Sequence, residues 1–188
     1  MMECTVQVVK ALALMGALMA CSPGITTTLP VSTPTPAEAN VATSIYQQVN
    51  AYRQSHGLLA LQRNTALDYL AQQHATFMCK NRGKFVIYGA TVTHYGFESR
   101  SFAAQQYYHM DQVGENVAAT SRGGNQLGNQ LVGLWLHSPS HERNIRYTWT
   151  CTGVGVVVGG DGTVFAVQMF GTLKNQSHLE MLNRLKRH

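Results

Sequence analysis

Between Thr43 and His137 the apolar positions recur at helical spacing, and after Thr150 they change to short Val-rich runs. Ile45, Val49 and Tyr52 fall on one helical face behind a Thr43 cap, with Gly57 as the stop. Leu67, Leu70, Ala71, His74, Ala75 and Met78 form a second face, opened by Asn64 or Thr65 and closing around Asn81 to Gly83. Shorter helices are predicted over Phe102 to Met110 and Asn125 to His137, and residues 84–98 read as irregular. Thr152 to Val158 and Thr163 to Phe170 flank Gly159-Gly160-Asp161-Gly162, which predicts an antiparallel hairpin, with Asn116 to Thr120 as a third strand. Helices before and beside a small antiparallel sheet make an α+β domain.

The ends of the chain carry different patterns. Ala11 to Ala20 is an uncharged run that rises only about 15 Å as a helix, half a hydrocarbon core, so it reads as the apolar part of an export signal spanning residues 1–20. Leu18-Met19-Ala20-Cys21 resembles the lipobox of bacterial lipoproteins, which implies an acylated Cys21 and a membrane anchor; the alternative is ordinary cleavage that leaves a plain thiol. Ser22 beside that cysteine, where Asp is absent, implies an outer-membrane destination. Residues 21–42 contain Pro23, Pro30, Pro34 and Pro36 and no hydrophobic period, so they are expected to be a disordered tether to a domain over 43–173. Residues 174–188 form a basic tail.

Charge narrows the partners. Only 12% of residues are charged, below the roughly 25% usual for soluble domains. Much of the net charge of +5 sits in the tail, where Lys174, Arg184, Lys186 and Arg187 stand against Glu180. The body has neither a basic stripe nor a recognition motif, which excludes nucleic acid as the partner. Of the four cysteines, Cys4 belongs to the signal and Cys21 to the anchor. Cys79 and Cys151 remain, and in an exported chain they are expected to form a disulfide that stabilises by about 4 kcal/mol.

His94 lies in a polar loop, Glu115 follows Gly114 at a strand entrance, and His141 lies just beyond a helix end. Two neutral imidazoles and a carboxylate are ligand types for Zn²⁺ or another borderline divalent ion. The same three groups also suit a hydrogen-bonded cluster that orders the core. Their spacing implies no proximity. Ser138-Pro139 is a good helix start, which favours Ser138 as an N-cap over a nucleophile. His74, on the buried face of the second helix, reads as a core histidine.

Taken in order, Asn50 to Leu61 (NAYRQSHGLLAL), AQQHATFM, HYGF, GENVAA, LWLHSPSHERNI, TGVGVVV and FAVQMFG resemble the CAP superfamily in its compact bacterial SCP-like branch, over residues 43–172. The resemblance implies an α-β-α sandwich around a three-stranded antiparallel sheet. It also implies a cleft lined by two histidines and two acidic residues that often holds a divalent metal, Zn²⁺ above all. Matched by motif, these are His94, Glu115 and His141, with Asn116 and Ser138 at the cleft. Ser138 stands where larger members place the fourth ligand, a Glu, so three ligands or fewer are expected. The function implied is an exported, lipid-anchored binding module of the bacterial cell envelope that takes a lipid, polysaccharide or protein ligand. Two alternatives stand beside it. One is a hydrolase, with Glu115 as base beside a metal on His94 and His141, or with Ser138 or Ser140 as nucleophile to His141. The other is a structural envelope protein with a vestigial cleft.

Overall fold

The architecture is set by strands that bury both faces. In the computed structural model, which describes residues 32–82, 92–121, 124 and 126–174, five helices and four strands occur in the order α1 (Pro36–Ser55), β1 (Gln62–Arg63), α2 (Thr65–Lys80), α3 (Phe97–Tyr107), β2 (Met110–Thr120), α4 (Leu127–Leu136), α5 (Pro139–Arg146), β3 (Cys151–Val158) and β4 (Val164–Leu173). The sheet order is β1-β3-β4-β2. β2, β4 and β3 form the expected antiparallel unit, and the two-residue β1 adds a parallel pairing of Gln62 with Cys151 and Arg63 with Thr152. Along β4, Val164, Ala166 and Phe170 pack into one cluster with α1, α4 and α5, while Phe165, Val167 and Met169 pack into another with α2 and α3. A strand covered on both faces has no polar side, which is why the hairpin reads as an almost unbroken apolar run. The result is the α-β-α layering expected of this α+β chain.

Several boundaries differ from the sequence reading. α1 starts at Pro36, so residues 36–42, expected to be tether, are helix. The cause is a capping box: Glu38 N–H donates to Thr35 Oγ1 at 3.3 Å, and Thr35 N–H donates to Glu38 Oε2 at 2.7 Å, with Pro36 in the first turn. Thr43, expected as the cap, lies inside the helix and donates its hydroxyl to Ala39 O. α2 matches its prediction, capped by Asn64 through Leu67 N–H. α3 starts at Phe97 rather than Phe102, and α5 is a separate helix behind Ser138-Pro139. The export signal, Cys21, the start of the tether and the tail beyond Lys174 lie outside the described residues.

The expected disulfide between Cys79 and Cys151 does not form; both thiols are free. α2 runs alongside β3, so Cys79 near its end lies beside Gly159, past the last residue of β3. Cys151 is the first residue of β3, and its thiol donates to Gly171 O at 3.4 Å. A strand of this length separates them by about 25 Å, far beyond the roughly 7 Å that a disulfide tolerates between Cα atoms.

Past β1, no strand among the described residues neighbours the outer edge of β3. Side chains take its place: Val154 N–H donates to Asp68 Oδ1 at 2.7 Å, Val156 N–H to Gln72 Oε1 at 3.0 Å and Val158 N–H to Glu38 Oε1 at 2.7 Å. Gln72 Nε2 donates in return to Val156 O. α2 reaches this edge only because Gly153 and Gly155 leave room. A Cβ on Gly155 would lie 2.2 Å from Gln72 N.

Candidate functional site

The site forms where the two helical layers meet beyond the other edge of the sheet, along β2. Glu115 and Asn116 are consecutive residues of that strand, so their side chains point to opposite faces. Glu115 faces α2 and α3, and Asn116 faces α5. Gly114 precedes them because the Trp149 ring packs on its backbone; a Cβ there would lie 2.8 Å from the ring.

Glu115 is fully buried yet ionised. Burial, the largest single influence, works to raise its carboxyl pKa. The His94 hydrogen bond and the charge of Arg100 outweigh it, with help from His74, and hold the carboxyl below its ordinary range. Arg100, from the second turn of α3, donates Nε to Oε2 at 2.8 Å and Nη2 to Oε1 at 2.9 Å. Burial lowers the guanidinium pKa and Glu115 opposes that shift; arginine remains protonated at any pH of interest. His94 Nδ1 lies 2.9 Å from Oε1. An ionised carboxylate only accepts, so His94 carries a proton on Nδ1, and in the neutral ring Nε2 is then the nitrogen with the lone pair. That nitrogen is buried and has no partner.

His141, on the first turn of α5, faces His94 with ring centres 6.4 Å apart, and its Nε2 is likewise buried and unpartnered. Burial and the nearby His94 push its imidazole down to about 4, so it is neutral. The backbone of α5 is fastened to β2 by Asn116, whose side chain donates to His141 O at 3.1 Å, and by Asn144, which donates to Glu115 O and to Asn116 Oδ1. Asn116 therefore lies beneath α5 as a fastener, not at the cleft surface. Ser138 occupies the N-cap position of α5, but its hydroxyl pairs with Ser140 Oγ at 3.2 Å and makes no capping bond. Neither hydroxyl is hydrogen-bonded to His141.

The fold thus brings His94, Glu115 and His141 into one neighbourhood in unequal roles. Glu115 binds His94 directly, while His141 joins through the facing ring. Both carboxylate oxygens accept hydrogen bonds from Arg100 and His94. Among the described residues no group of three or more His, Cys, Asp or Glu side chains is arranged to hold a metal. The Nε2 atoms of His94 and His141 are left without a partner. A carboxylate ionised by a fixed guanidinium is also a weak general base, which removes geometric support from a Glu115-driven hydrolysis.

Two participants escaped the sequence reading. Arg100 carries no motif signal; only a helix starting at Phe97 puts it over Glu115. His74, read as an ordinary core histidine, donates Nε2–H to Thr93 O at 2.6 Å, pinning the His94 loop, and that nitrogen lies 4.0 Å from Glu115. Burial pushes its imidazole down to about 4.

A family model described as CAP, the cysteine-rich secretory protein family, matches residues 46–170. No curated protein matches the chain. Among solved structures, an outer surface protein from Borrelia burgdorferi is 22% identical and superposes with a TM-score of 0.58, covering 76% of this chain and 97% of its own. A cysteine-rich secretory protein from Staphylococcus aureus is 17% identical with a TM-score of 0.53, and the match spans 73% of this chain and 40% of that one. At these identities the likeness is one of fold.

Replacing Arg100 by Met strands a buried carboxylate, and denaturant unfolding is expected to show a loss of about 3–5 kcal/mol, largely recovered when Glu115→Gln is added. His74 predicts a pH dependence. Its folded value near 4 lies below the unfolded 6.5, so the unfolded chain binds more protons between these limits. The stability contributed is complete above 6.5 and declines as pH falls toward 4. Unfolding free energies measured across that window should fall less steeply in His74→Gln than in the parent.

Proposed function

Because the chain belongs to the CAP family of cysteine-rich secretory proteins, we propose that it is an exported binding module of the bacterial cell envelope, tethered through a lipid on Cys21, whose cleft engages its ligand through His94 and His141. The observation that carries this reading is that the His94 and His141 rings lie with centres 6.4 Å apart and that each has a buried, unpartnered Nε2. A buried polar nitrogen without a partner is costly, and two of them on neighbouring rings favour a group that satisfies both.

A divalent ion, Zn²⁺ foremost, is such a group. His94 and His141 would hold it, and it would supply a Lewis-acidic point for an oxygen or nitrogen of the ligand. Glu115 and Arg100 act behind this pair. Glu115 accepts the Nδ1 proton of His94 and so fixes the tautomer that aims a lone pair at the cleft. Arg100 cancels the carboxylate charge and fixes its position. Two ligands with no carboxylate make for weak binding, which suits a site completed by the ligand itself. The anchor is supported by Leu18-Met19-Ala20-Cys21, and an envelope destination by Ser22.

Zinc titration of untagged protein against a chromophoric chelator should give one ion per chain. His94→Ala and His141→Ala should each weaken it about tenfold or more, and Glu115→Gln by a comparable factor through loss of His94 orientation. Unchanged zinc affinity in both histidine variants overturns the site. For the anchor, cell fractionation should find the parent in the membrane and Cys21→Ser in the soluble fraction; equal membrane recovery of the two refutes it.

A further inference from the structure

The last turn of α1, inside the segment Asn50 to Leu61, holds a charge that the site itself does not use. Arg53 is 2% exposed, and its donors go to backbone carbonyls: Nε to Leu59 O at 3.0 Å, and Nη1 to Ile145 O at 2.6 Å and to Tyr147 O at 2.8 Å. No carboxylate among the described residues pairs with it. A buried cation without a counter-ion is costly. What offsets it here is the C-terminal end of α5, where carbonyls without an intrahelical partner carry the negative end of the helix dipole.

α5 needs such a hold. It has 8 residues, too few to be stable alone, and it buries only Asn144 and Ile145. A helix with so small an apolar face takes its position from polar contacts. Asn116 and Asn144 fasten it to β2, which leaves the axis free to pivot about that line of contact, and a pivot swings the His141 ring relative to His94. Arg53 supplies a second attachment from a different element, at Ile145, about one helical turn beyond His141. Tyr52, the residue before Arg53, adds a lesser one: its hydroxyl donates to Glu142 Oε1 at 2.5 Å, beside His141.

We infer that Arg53 is the positioning residue of His141: from α1 it fixes the C-terminal end of α5, and with the asparagine contacts to β2 it holds the His141 ring against His94. The inference rests on reading that histidine pair as the ligand site, and it names the residue that sets the geometry of the pair. Arginine suits the task and lysine does not. A guanidinium presents its donors in a rigid planar fork, whereas an ammonium on a flexible stem fixes no direction.

The test titrates zinc into the untagged protein against a chromophoric chelator. Arg53→Lys should weaken binding about tenfold. Val49→Ala, which loosens the same helix by opening a core cavity, should leave it unchanged. In a His141→Ala background Arg53→Lys should cause no further loss. Tyr52→Phe removes only one hydroxyl and should act by the same route with a loss of about threefold. Undiminished affinity in Arg53→Lys, or in Tyr52→Phe should the first variant not fold, overturns the inference. So does an equal loss in Val49→Ala, or a loss that is the same with and without His141. A second readout needs no metal. In chelator-treated buffer a nuclear Overhauser contact between the His94 and His141 ring protons should be present in the parent and lost in Arg53→Lys, while an unmoved His94 Nδ1–H signal reports an intact Glu115 cluster. If the parent binds no zinc, the metal reading fails by itself and this contact decides: its absence from the parent or its persistence in Arg53→Lys overturns the inference.

Discussion

One buried negative charge organises the region that matters. Glu115 sits in the middle of β2 with no exposure to water, and an ionised carboxylate survives there only when every lone pair facing the interior has a donor. Arg100 supplies two donors and the compensating charge, and His94 supplies a third. Meeting that demand fixes where α3 begins, because Arg100 must lie over the strand, and fixes the loop before it, because His94 must turn inward. His74 then holds that loop from beneath through Thr93. The site is thus a consequence of satisfying one charge.

What is left over is a pair of histidines. The donors consumed by Glu115 leave His94 Nε2 free, and the fastening of α5 onto β2 by Asn116 and Asn144 carries His141 to face it. The same constraint explains why the carboxylate, the residue most suggestive of metal binding in the sequence, acts from behind the histidine. Beside His141 lies a cavity whose other lining residues are Val92, Val117, Ala118, Ala119, Leu134 and Trp135.

The two edges of the sheet are treated oppositely. At β3 the free backbone N–H groups are closed by Asp68, Gln72 and Glu38, a row of side chains that imitates a missing strand and leaves nothing for an incoming one. At β2 the edge is where the helical layers approach each other and leave a hollow. Closure of one edge gives the sheet its stability as a small unit, and the other edge is available for a site.

Local chemistry was legible in advance. The helical period of α2, its Asn64 cap and the Val-rich hairpin around Gly159 to Gly162 could be read directly, because propensity, periodicity and turn chemistry act over a few residues. The segments containing His94, Glu115 and His141 were recognisable as a set only through their resemblance to the CAP superfamily, since their spacing in the chain implies no proximity. The start of α1 at Pro36 was also written locally, in Thr35 and Glu38, but was masked by the prolines around it. Arg100 as the partner of Glu115, the separation of Cys79 from Cys151 along the length of β3, and the closure of the β3 edge by residues from α1 and α2 were decided only by tertiary structure. Each depends on distances between segments far apart in the chain. Residue types state what a group needs, a donor or a counter-charge, while packing of the layers determines which of several eligible groups arrives to meet it.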